Sequence, residues 1–145
     1  MIPQLGKTTK FINMMVKAHF VANDIPLTKE QFIVLLCLEE EPQPQSFLAT
    51  ITERDKGSLT RLVQSLEKKR YVIRKACKAD SRVIQVEVSP KGRAILEQTK
   101  PIIKSLFARL QLGVDEKEKV VAMKVIEQIQ ENASKEIEKI EHIKK

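Results

Sequence analysis

The sequence predicts a mainly α-helical fold with one small β-hairpin, and three observations support this. Apolar residues recur at helical spacing over most of the 145 residues. Two runs typical of β-strands, residues 71–77 and 82–88, follow one another with a short charged loop between them. Ser, Thr and Asp stand where helices should begin, and Pro or Gly where they should end. A chain of this length has room for one domain.

The first helix is predicted from Lys7 to Ala22, with an apolar stripe of Phe11, Met14, Met15, Ala18 and Val21. Thr28 is the expected cap of a second helix, and Gln31 completes a capping-box pattern three residues later. That helix presents Phe32, Leu35, Leu36 and Leu38. Two prolines and three glutamates in residues 39–44 should then prevent any regular structure.

Two helices separated by a tight turn are predicted next. Ser46 is the expected cap of a short helix that buries Phe47, Leu48 and Ile51. Asp55 is the expected cap of a longer helix that extends to about residue 69 and turns Leu59, Leu62, Val63 and Leu66 inward. Its outer face then carries Lys56, Gly57, Ser58, Thr60, Arg61, Gln64 and Lys68.

The hairpin leads into two long helices. In its second strand Ile84, Val86 and Val88 alternate with more polar residues, so one face should pack. Ser89 is the expected cap of a helix that runs to about Leu112, with a kink at Pro101 and an end at Gly113. A last helix from Asp115 to Ile143 carries a coiled-coil-like seam of Ala122, Ile126, Ile129, Ala133, Ile137 and Ile140. This seam needs a cover, either the first helix or a second subunit.

Positive charge is concentrated on the helix–turn–helix and hairpin region. Residues 54–82 contain ten Lys or Arg and three acids, a net charge of +7, which equals that of the whole chain. A cationic field on one compact unit is what a phosphate-binding surface requires. The 4% aromatic content argues against a binder of single strands, which stacks bases on aromatic rings.

Other classes of protein are disfavoured. We find no signal peptide and no apolar run that could span a bilayer, so we expect a cytoplasmic protein that does not bind membranes. Cys37 and Cys77 match no metal-site spacing with His19 and His142, and no nucleophile–base pattern or glycine-rich phosphate loop is present. We therefore expect no enzyme, no cofactor and no metal.

Several segments in this order resemble the MarR family of bacterial transcription regulators. They are Leu27-Thr28 with Gln31-Phe32 and Leu35, then residues 47–49, the run of residues 58–69, Asp80-Ser81-Arg82, and residues 88–93. The resemblance covers nearly the whole chain. Two positions depart from the family pattern: Arg70 stands where a glycine usually ends the recognition helix, and Gly57 where Ser or Thr is common. Arg70 implies that the helix ends in another way or that this residue accepts backbone strain in exchange for a phosphate contact.

The resemblance implies a winged helix-turn-helix homodimer. Residues 25–89 would form the DNA-binding lobe, and residues 1–24 and 90–145 the dimerisation helices. The implied DNA contacts are Lys56, Ser58, Thr60, Arg61, Gln64, Lys68, Arg74, Lys75, Lys78 and Arg82, with Arg82 reaching the minor groove from the wing. Asp80 would pair with a nearby Arg and hold the wing in shape. Dimerisation is assigned to Phe11, Met14, Met15, Ile126, Ile129, Ala133, Ile137 and Ile140.

The expected function is a sequence-specific, dimeric regulator that binds double-stranded DNA. We expect a repressor on a pseudo-palindromic operator, with a small-molecule effector bound between the dimerisation helices and the DNA-binding lobe. Two alternatives remain at this point. One is a winged-helix module whose basic face binds an acidic protein, and the other is an architectural DNA binder without sequence preference. An isolated basic helix face could also be simply solvated.

Overall fold

The computed structural model describes residues 1–143, and the predicted mainly helical fold with a small antiparallel wing is confirmed. Residues 144 and 145, at the end of the predicted dimerisation segment, lie outside the described residues. The chain forms two compact units, Met1–Leu106 and one that begins at Phe107. The elements are α1 Ile2–Ala22, α2 Lys29–Cys37, β1 Gln43–Pro44, α3 Gln45–Ile51, α4 Lys56–Lys68, β2 Val72–Ala76, β3 Ile84–Val88, α5 Pro90–Leu110 and α6 Glu116–Ile143.

The first helix is longer than predicted, and a different face of it is buried. α1 begins at Ile2 rather than Lys7. The proline in its first turn is compatible with this start, because the N–H that proline lacks would have no partner within the helix. Its buried residues are Val16 and Phe20, and the ring of Phe20 packs edge-on against Phe32 of α2 at a centroid distance of 6.3 Å. Much of the predicted stripe is instead exposed, namely Phe11, Met14, Ala18 and Val21.

The start of α2 follows the prediction. Thr28 Oγ1 accepts a hydrogen bond from the Gln31 N–H at 3.1 Å, and Gln31 Oε1 accepts one from the Thr28 N–H at 3.0 Å. This reciprocal pair satisfies two N–H groups that have no partner within the helix. The predicted capping box is therefore confirmed.

The prediction for α3 was wrong in two respects. The helix begins at Gln45, and no side chain caps it, so Ser46 does not have the expected role. Only Leu48 is buried, whereas Phe47 and Ile51 are about half exposed. A seven-residue helix turns one narrow face inward, and positions four apart share another face.

The expectation of no regular structure in residues 39–44 was also wrong at its end. Gln43 and Pro44 pair with Val86 and Gln85, so β1 joins the wing to give a sheet of order β1-β3-β2. The pairing is possible because β1 is an edge strand, where a proline without an N–H is tolerated. β2 and β3 form the antiparallel hairpin, in a register from Val72↔Val88 to Ala76↔Ile84.

The junction between the wing and α5 is tightly packed. Ser89 Oγ accepts a hydrogen bond from the Gly92 N–H at 2.9 Å and donates one to the Arg70 carbonyl at 2.6 Å. A Cβ on Gly92 would lie 2.0 Å from the Tyr71 carbonyl oxygen, so only glycine fits there. The predicted Ser89 cap is confirmed, and it also ties the start of α5 to the end of α4.

The unit that begins at Phe107 contains the end of α5 and all of α6. α5 ends at Leu110, two residues earlier than predicted, and Gly113 adopts a left-handed conformation with φ +78°. Asp115 Oδ1 accepts a hydrogen bond from the Lys117 N–H at 2.8 Å at the start of α6. Within the described part of α6 no side chain is buried in the chain.

Candidate nucleic-acid interface

Helix α4 separates a buried face from a basic face. Leu59, Val63 and Leu66 are buried at 1% exposure or less. The side chains of Lys56, Arg61, Gln64 and Lys68 are on the exposed side, as predicted. Asp55 Oδ1 accepts a hydrogen bond from the Ser58 N–H at 2.8 Å, and this bond is the main reason that the pKa of Asp55 is lowered. The carboxylate thereby fixes where the helix begins.

Two hydroxyls of the predicted contact set are already occupied within the protein. Thr60 Oγ1 donates to the Lys56 carbonyl and accepts from Gln45 Nε2, both at 2.8 Å. Ser58 Oγ accepts from Arg54 Nη1 at 2.9 Å. These contacts join α4 to the first turn of α3 and to the turn before α4. Ser58 and Thr60 therefore help to position the helix, whatever further contacts they make.

Helix α4 ends at a residue with unusual backbone geometry. Arg70 adopts a left-handed conformation with φ +61°. Its N–H donates to the Glu67 carbonyl at 2.8 Å, and the Tyr71 N–H donates to the Leu66 carbonyl at 3.0 Å. This is the Schellman pattern that usually uses glycine. The second alternative raised by the sequence, strain accepted at Arg70, therefore describes this helix end.

Two of the predicted cations on the wing strands form ion pairs. Arg74 Nη2 lies 2.8 Å from Glu67 Oε2 of α4, and Lys75 Nζ lies 3.2 Å from Glu87 Oε2 on β3. The first pair joins the base of the wing to the basic helix. Both pairs are partly exposed, and such pairs contribute at most about 1 kcal/mol each, so another anion can displace the carboxylate.

The wing tip is organised by Asp80. Its Oδ1 accepts hydrogen bonds from the Arg82 N–H at 3.0 Å and from Arg82 Nε at 3.2 Å. The Arg82 side-chain bond, followed by the backbone bond, lowers the pKa of Asp80. The Arg82 side chain is nevertheless 90% exposed, and Lys78 is also exposed. Asp80 thus pairs with Arg82 itself, and the guanidinium remains on the outside of the wing.

A groove of about 440 Å³ lies between α3, the start of α4 and the wing. Lys56 and Arg82 both line it, so it joins the basic helix to the wing tip. Gln45 also lines it, and its buried Oε1 has no hydrogen-bond partner among the described residues. The groove is therefore a mainly apolar depression between the two predicted DNA-reading elements, with one cation from each of them in its lining.

The residues assigned to dimerisation differ in exposure. Phe11 and Met14 of α1 are 58% and 56% exposed, whereas Met15 packs partly against the core. On α6, Ile126 and Ile129 are half-buried, while Ala133, Ile137 and Ile140 are exposed. Each unit therefore presents an apolar helix face to its surroundings, which is unusual for a monomer with a small core.

A second cavity, of about 420 Å³, lies between α1 and the start of α2. Phe20, Val21, Ile25 and Leu27 give it apolar walls, and Asn13, Lys17, Lys29 and Glu30 give it polar ones. Lys29 Nζ donates to Asn13 Oδ1 at 2.6 Å, which links the two helices. The sequence located the effector site only in general terms, between the dimerisation helices and the DNA-binding lobe, with lining residues from the first, second and fifth helices.

Other kinds of site are not found in residues 1–143. No group of His, Cys, Asp or Glu side chains there could hold a metal ion. None of the helices in that range combines the length and the hydropathy that a bilayer span needs. The thiol of Cys37 has a raised pKa because it is partly buried, which favours the unreactive protonated form.

Three polar side chains outside the predicted set hold the interface in place. Gln45 and Arg54 bind the hydroxyls of α4, and Gln31 of α2 donates to Ser65 Oγ at 2.9 Å. Gln31 and Gln45 are separated by 34 and 15 residues from their partners. No local pattern in the sequence reports such contacts, because the fold alone brings these residues together.

Comparison with known proteins finds one matching family model and several curated relatives of similar sequence. The family model of the MarR family matches residues 27–84. The chain is 31% identical over 101 residues to the HTH-type transcriptional regulator SarZ of a Staphylococcus aureus strain, which covers 68% of this chain and 67% of that relative. The match spans 65% of the length of the SarZ regulators of Staphylococcus epidermidis.

Solved structures of low sequence identity share the fold. The MarR family transcriptional regulator AbsC of Streptomyces coelicolor has a TM-score of 0.83 at 18% identity, covering 91% of this chain and 90% of that one. BpsR of Bordetella bronchiseptica, whose DNA binding is regulated by 6-hydroxynicotinic acid, has a TM-score of 0.72 at 21% identity, covering 86% and 91%. The relatives are transcriptional regulators rather than enzymes, in agreement with the expectation that this chain is not an enzyme.

Proposed function

The chain belongs to the MarR family, and from this premise we propose that it regulates transcription by binding double-stranded DNA at specific sequences. The proposal includes a repressor that acts as a homodimer on a pseudo-palindromic operator. The observation that carries it is the exposed cationic face of α4 beside a groove that leads to Arg82 on the wing. A helix of this kind fits the major groove, whose width of about 12 Å admits one α-helix.

The contact residues divide into two classes by their chemistry and position. Arg61 and Gln64 lie on the exposed face of α4, and their side chains can form paired hydrogen bonds with guanine and adenine edges. Lys75 and Lys78 lie on the wing, and an ammonium group there serves best as a phosphate contact. Arg82 is exposed at the wing tip, where a guanidinium suits the negative potential of a narrow minor groove.

The apolar faces of α1 and α6 support the homodimer. In a dimer, Phe11 and Met14 on α1 and Ile137 and Ile140 on α6 would be covered by the second copy. Two copies would present two α4 helices to half-sites one helical turn apart, about 34–36 Å. The operator should therefore be nearly palindromic.

The cavity between α1 and α2 is the proposed effector site. Its apolar walls fit a small hydrophobic body, and the ammonium groups of Lys17 and Lys29 at its rim fit an acidic group. A small organic acid combines both features. 6-Hydroxynicotinic acid is a reasonable first probe of that class, by analogy with BpsR.

Selection of random duplexes by the purified protein tests the proposal directly. A symmetric enriched motif is the expected result, and complexes with it should survive an excess of unrelated duplex. Complexes lost to that competitor would point to the architectural binder, and no duplex affinity in dilute salt would point to the protein-interaction module. Both results contradict the proposal.

Two variants separate the reading residues, which contact base edges, from the anchoring residues, which contact phosphates. Arg61→Ala should change the preferred base at one position in each half-site, at a cost of about 1–3 kcal/mol. Lys75→Ala should weaken all duplexes alike and reduce the slope of log K against log salt by about one. Competition titrations at several salt concentrations measure both effects. If the two variants behave alike, the division into reading and anchoring residues is wrong.

A further inference from the structure

A buried amide joins the start of α2 to the end of the basic helix. Gln31 is only 5% exposed, and its side chain makes three hydrogen bonds. Its Nε2 donates to Ser65 Oγ at 2.9 Å, and its Oε1 accepts from the Thr28 N–H and from Lys69 Nζ, both at 3.0 Å. One side chain therefore contacts the cap of α2 and two positions at the end of α4.

The link to α4 is reinforced on both sides. Lys69 Nζ also donates to the Pro26 carbonyl at 2.7 Å, so the lysine binds the segment of residues 26–31 at two points. Ser65 Oγ donates to the Leu62 carbonyl at 2.6 Å, which leaves its lone pairs for Gln31. Buried hydrogen bonds of this kind are costly to break without replacement, so α4 should follow any movement of the segment.

The same segment forms a wall of the cavity between α1 and α2. Leu27, Thr28, Lys29 and Glu30 line the cavity from this side, and Asn13 and Lys17 line it from α1. Gln31 is the next residue along the chain, and it turns away from the cavity toward α4. A molecule that enters the cavity therefore meets the segment that carries the link.

We infer that Gln31 is the positioning residue through which occupancy of this cavity changes the orientation of α4. The inference rests on the proposed function and assigns its regulation to one side chain. An occupant that pushes residues 27–30 away from α1 moves the Gln31 amide, and Ser65 and Lys69 move with it. Because α4 is about 20 Å long, a displacement of about 1 Å at one end tilts it by several degrees. Base contacts do not tolerate such a change.

The inference can be tested without a known effector by filling the cavity with a side chain. Asn13→Trp places an indole at the α1 wall, and Asn13→Ala is the matched control that removes the bond to Lys29 without filling the space. Each is combined with Gln31→Leu, which abolishes the polar link, and with Gln31→Glu, which keeps the acceptor for Thr28 and Lys69. Fluorescence anisotropy then gives the dissociation constant of each protein for the selected duplex.

We expect Asn13→Trp to weaken operator binding at least fivefold in the otherwise unchanged protein and in the Gln31→Glu background. In the Gln31→Leu background, Asn13→Trp should change operator binding by less than twofold. Asn13→Ala should have little effect on operator binding in all three backgrounds. Should Gln31→Leu fail to fold, the double substitution Ser65→Ala with Lys69→Met removes both partners of Gln31 at the end of α4 and takes its place. A merely structural role for Gln31 predicts equal effects of Asn13→Trp in every background.

Equal effects, or no effect of Asn13→Trp on operator binding in the unchanged protein, would overturn the inference. Loss of dimerisation caused by the indole would also act equally in all backgrounds, so it cannot imitate the expected result. Failure of the proposed function looks different, because no duplex would then be enriched by the unchanged protein.

Discussion

Replacing Arg70 by glycine should stabilise the protein, although it removes a large side chain. Arg70 has φ +61°, in the left-handed region that side chains with a Cβ rarely adopt. Its N–H and that of Tyr71 close the end of α4 through the carbonyls of Glu67 and Leu66. These bonds involve only the backbone, so Arg70→Gly preserves them while it removes the strain at the Cβ.

The size of the effect follows from two opposing terms. A non-glycine residue in this conformation costs about 1–2 kcal/mol. Glycine has more freedom in the unfolded chain, which returns about 0.5–1 kcal/mol of that gain. The free energy of unfolding should therefore rise by about 0.75 kcal/mol, the difference between the centres of the two ranges. For a chain of this length that raises Tm by about 1–4 °C.

Urea unfolding at one fixed protein concentration measures the change, because the stability of the proposed homodimer would depend on concentration. Arg70→Gln is the matched control: it removes the charge but keeps the Cβ, so it should give no gain. Gln64→Gly, placed at an exposed position inside the helix, should cost about 1 kcal/mol. An equal gain from Arg70→Gln would refute the reasoning, since relief of charge repulsion would then explain the result.

Two further predictions concern the junction before α5 and the wing tip. Gly92→Ala should lower the free energy of unfolding by about 3 kcal/mol, because its Cβ would lie 2.0 Å from the Tyr71 carbonyl oxygen. Gly6→Ala should raise the free energy of unfolding by about 0.5–1 kcal/mol, because a Cβ at this helical position would meet nothing within 4 Å. Thermal unfolding of the two variants compares these effects. The pKa of Asp80 is lowered from 3.8 by its bonds to Arg82, so the stability that this carboxylate provides is present above the unfolded pKa of 3.8 and is lost as the pH falls through its lowered value. Urea unfolding between pH 6 and pH 2.5 should show the difference between the protein and its Asp80→Asn variant shrinking as the pH falls, and a constant difference would contradict this.

Features set by local chemistry could be predicted from the sequence. The caps at Thr28, Asp55 and Ser89 were predicted because each needs only a side-chain oxygen near the first N–H groups of a helix. The buried face of α4 was predicted because periodicity alone determines it. The exposure of Phe47 and Ile51 was not predicted, because a helix of seven residues is too short for its sequence to show which face packs.

Features set by tertiary partners could not be predicted. Gln43 and Pro44 form a strand because β3 offers them a free edge, and nothing in residues 39–44 indicates this. From the sequence alone, the cations of residues 54–82 cannot be divided into those that form ion pairs and those that do not. Only the strand register shows that Lys75 lies beside Glu87. The role of Gln31 depends in the same way on the packing of α2 against α4.

The acids around the wing divide the cations into two groups that meet DNA differently. Glu67, Asp80 and Glu87 pair with Arg74, Arg82 and Lys75, so the wing carries most of its charge in neutralised pairs. Over residues 1–143, by contrast, the cations on the exposed face of α4 form no ion pair; these are Lys56, Arg61 and Lys68.

Under the proposed function, this division would affect how the protein distinguishes an operator from other DNA. Long-range attraction to any duplex depends on unpaired charge, so it should come mainly from α4. The three paired wing cations, Arg74, Lys75 and Arg82, exchange contacts with their carboxylates for phosphate or groove contacts. Surface pairs are weak enough for that exchange, but it yields a net gain only where the DNA fits the wing closely. The carboxylates of the wing thus lower affinity for poorly fitting DNA more than for DNA that seats both α4 and the wing, which favours specificity over total affinity.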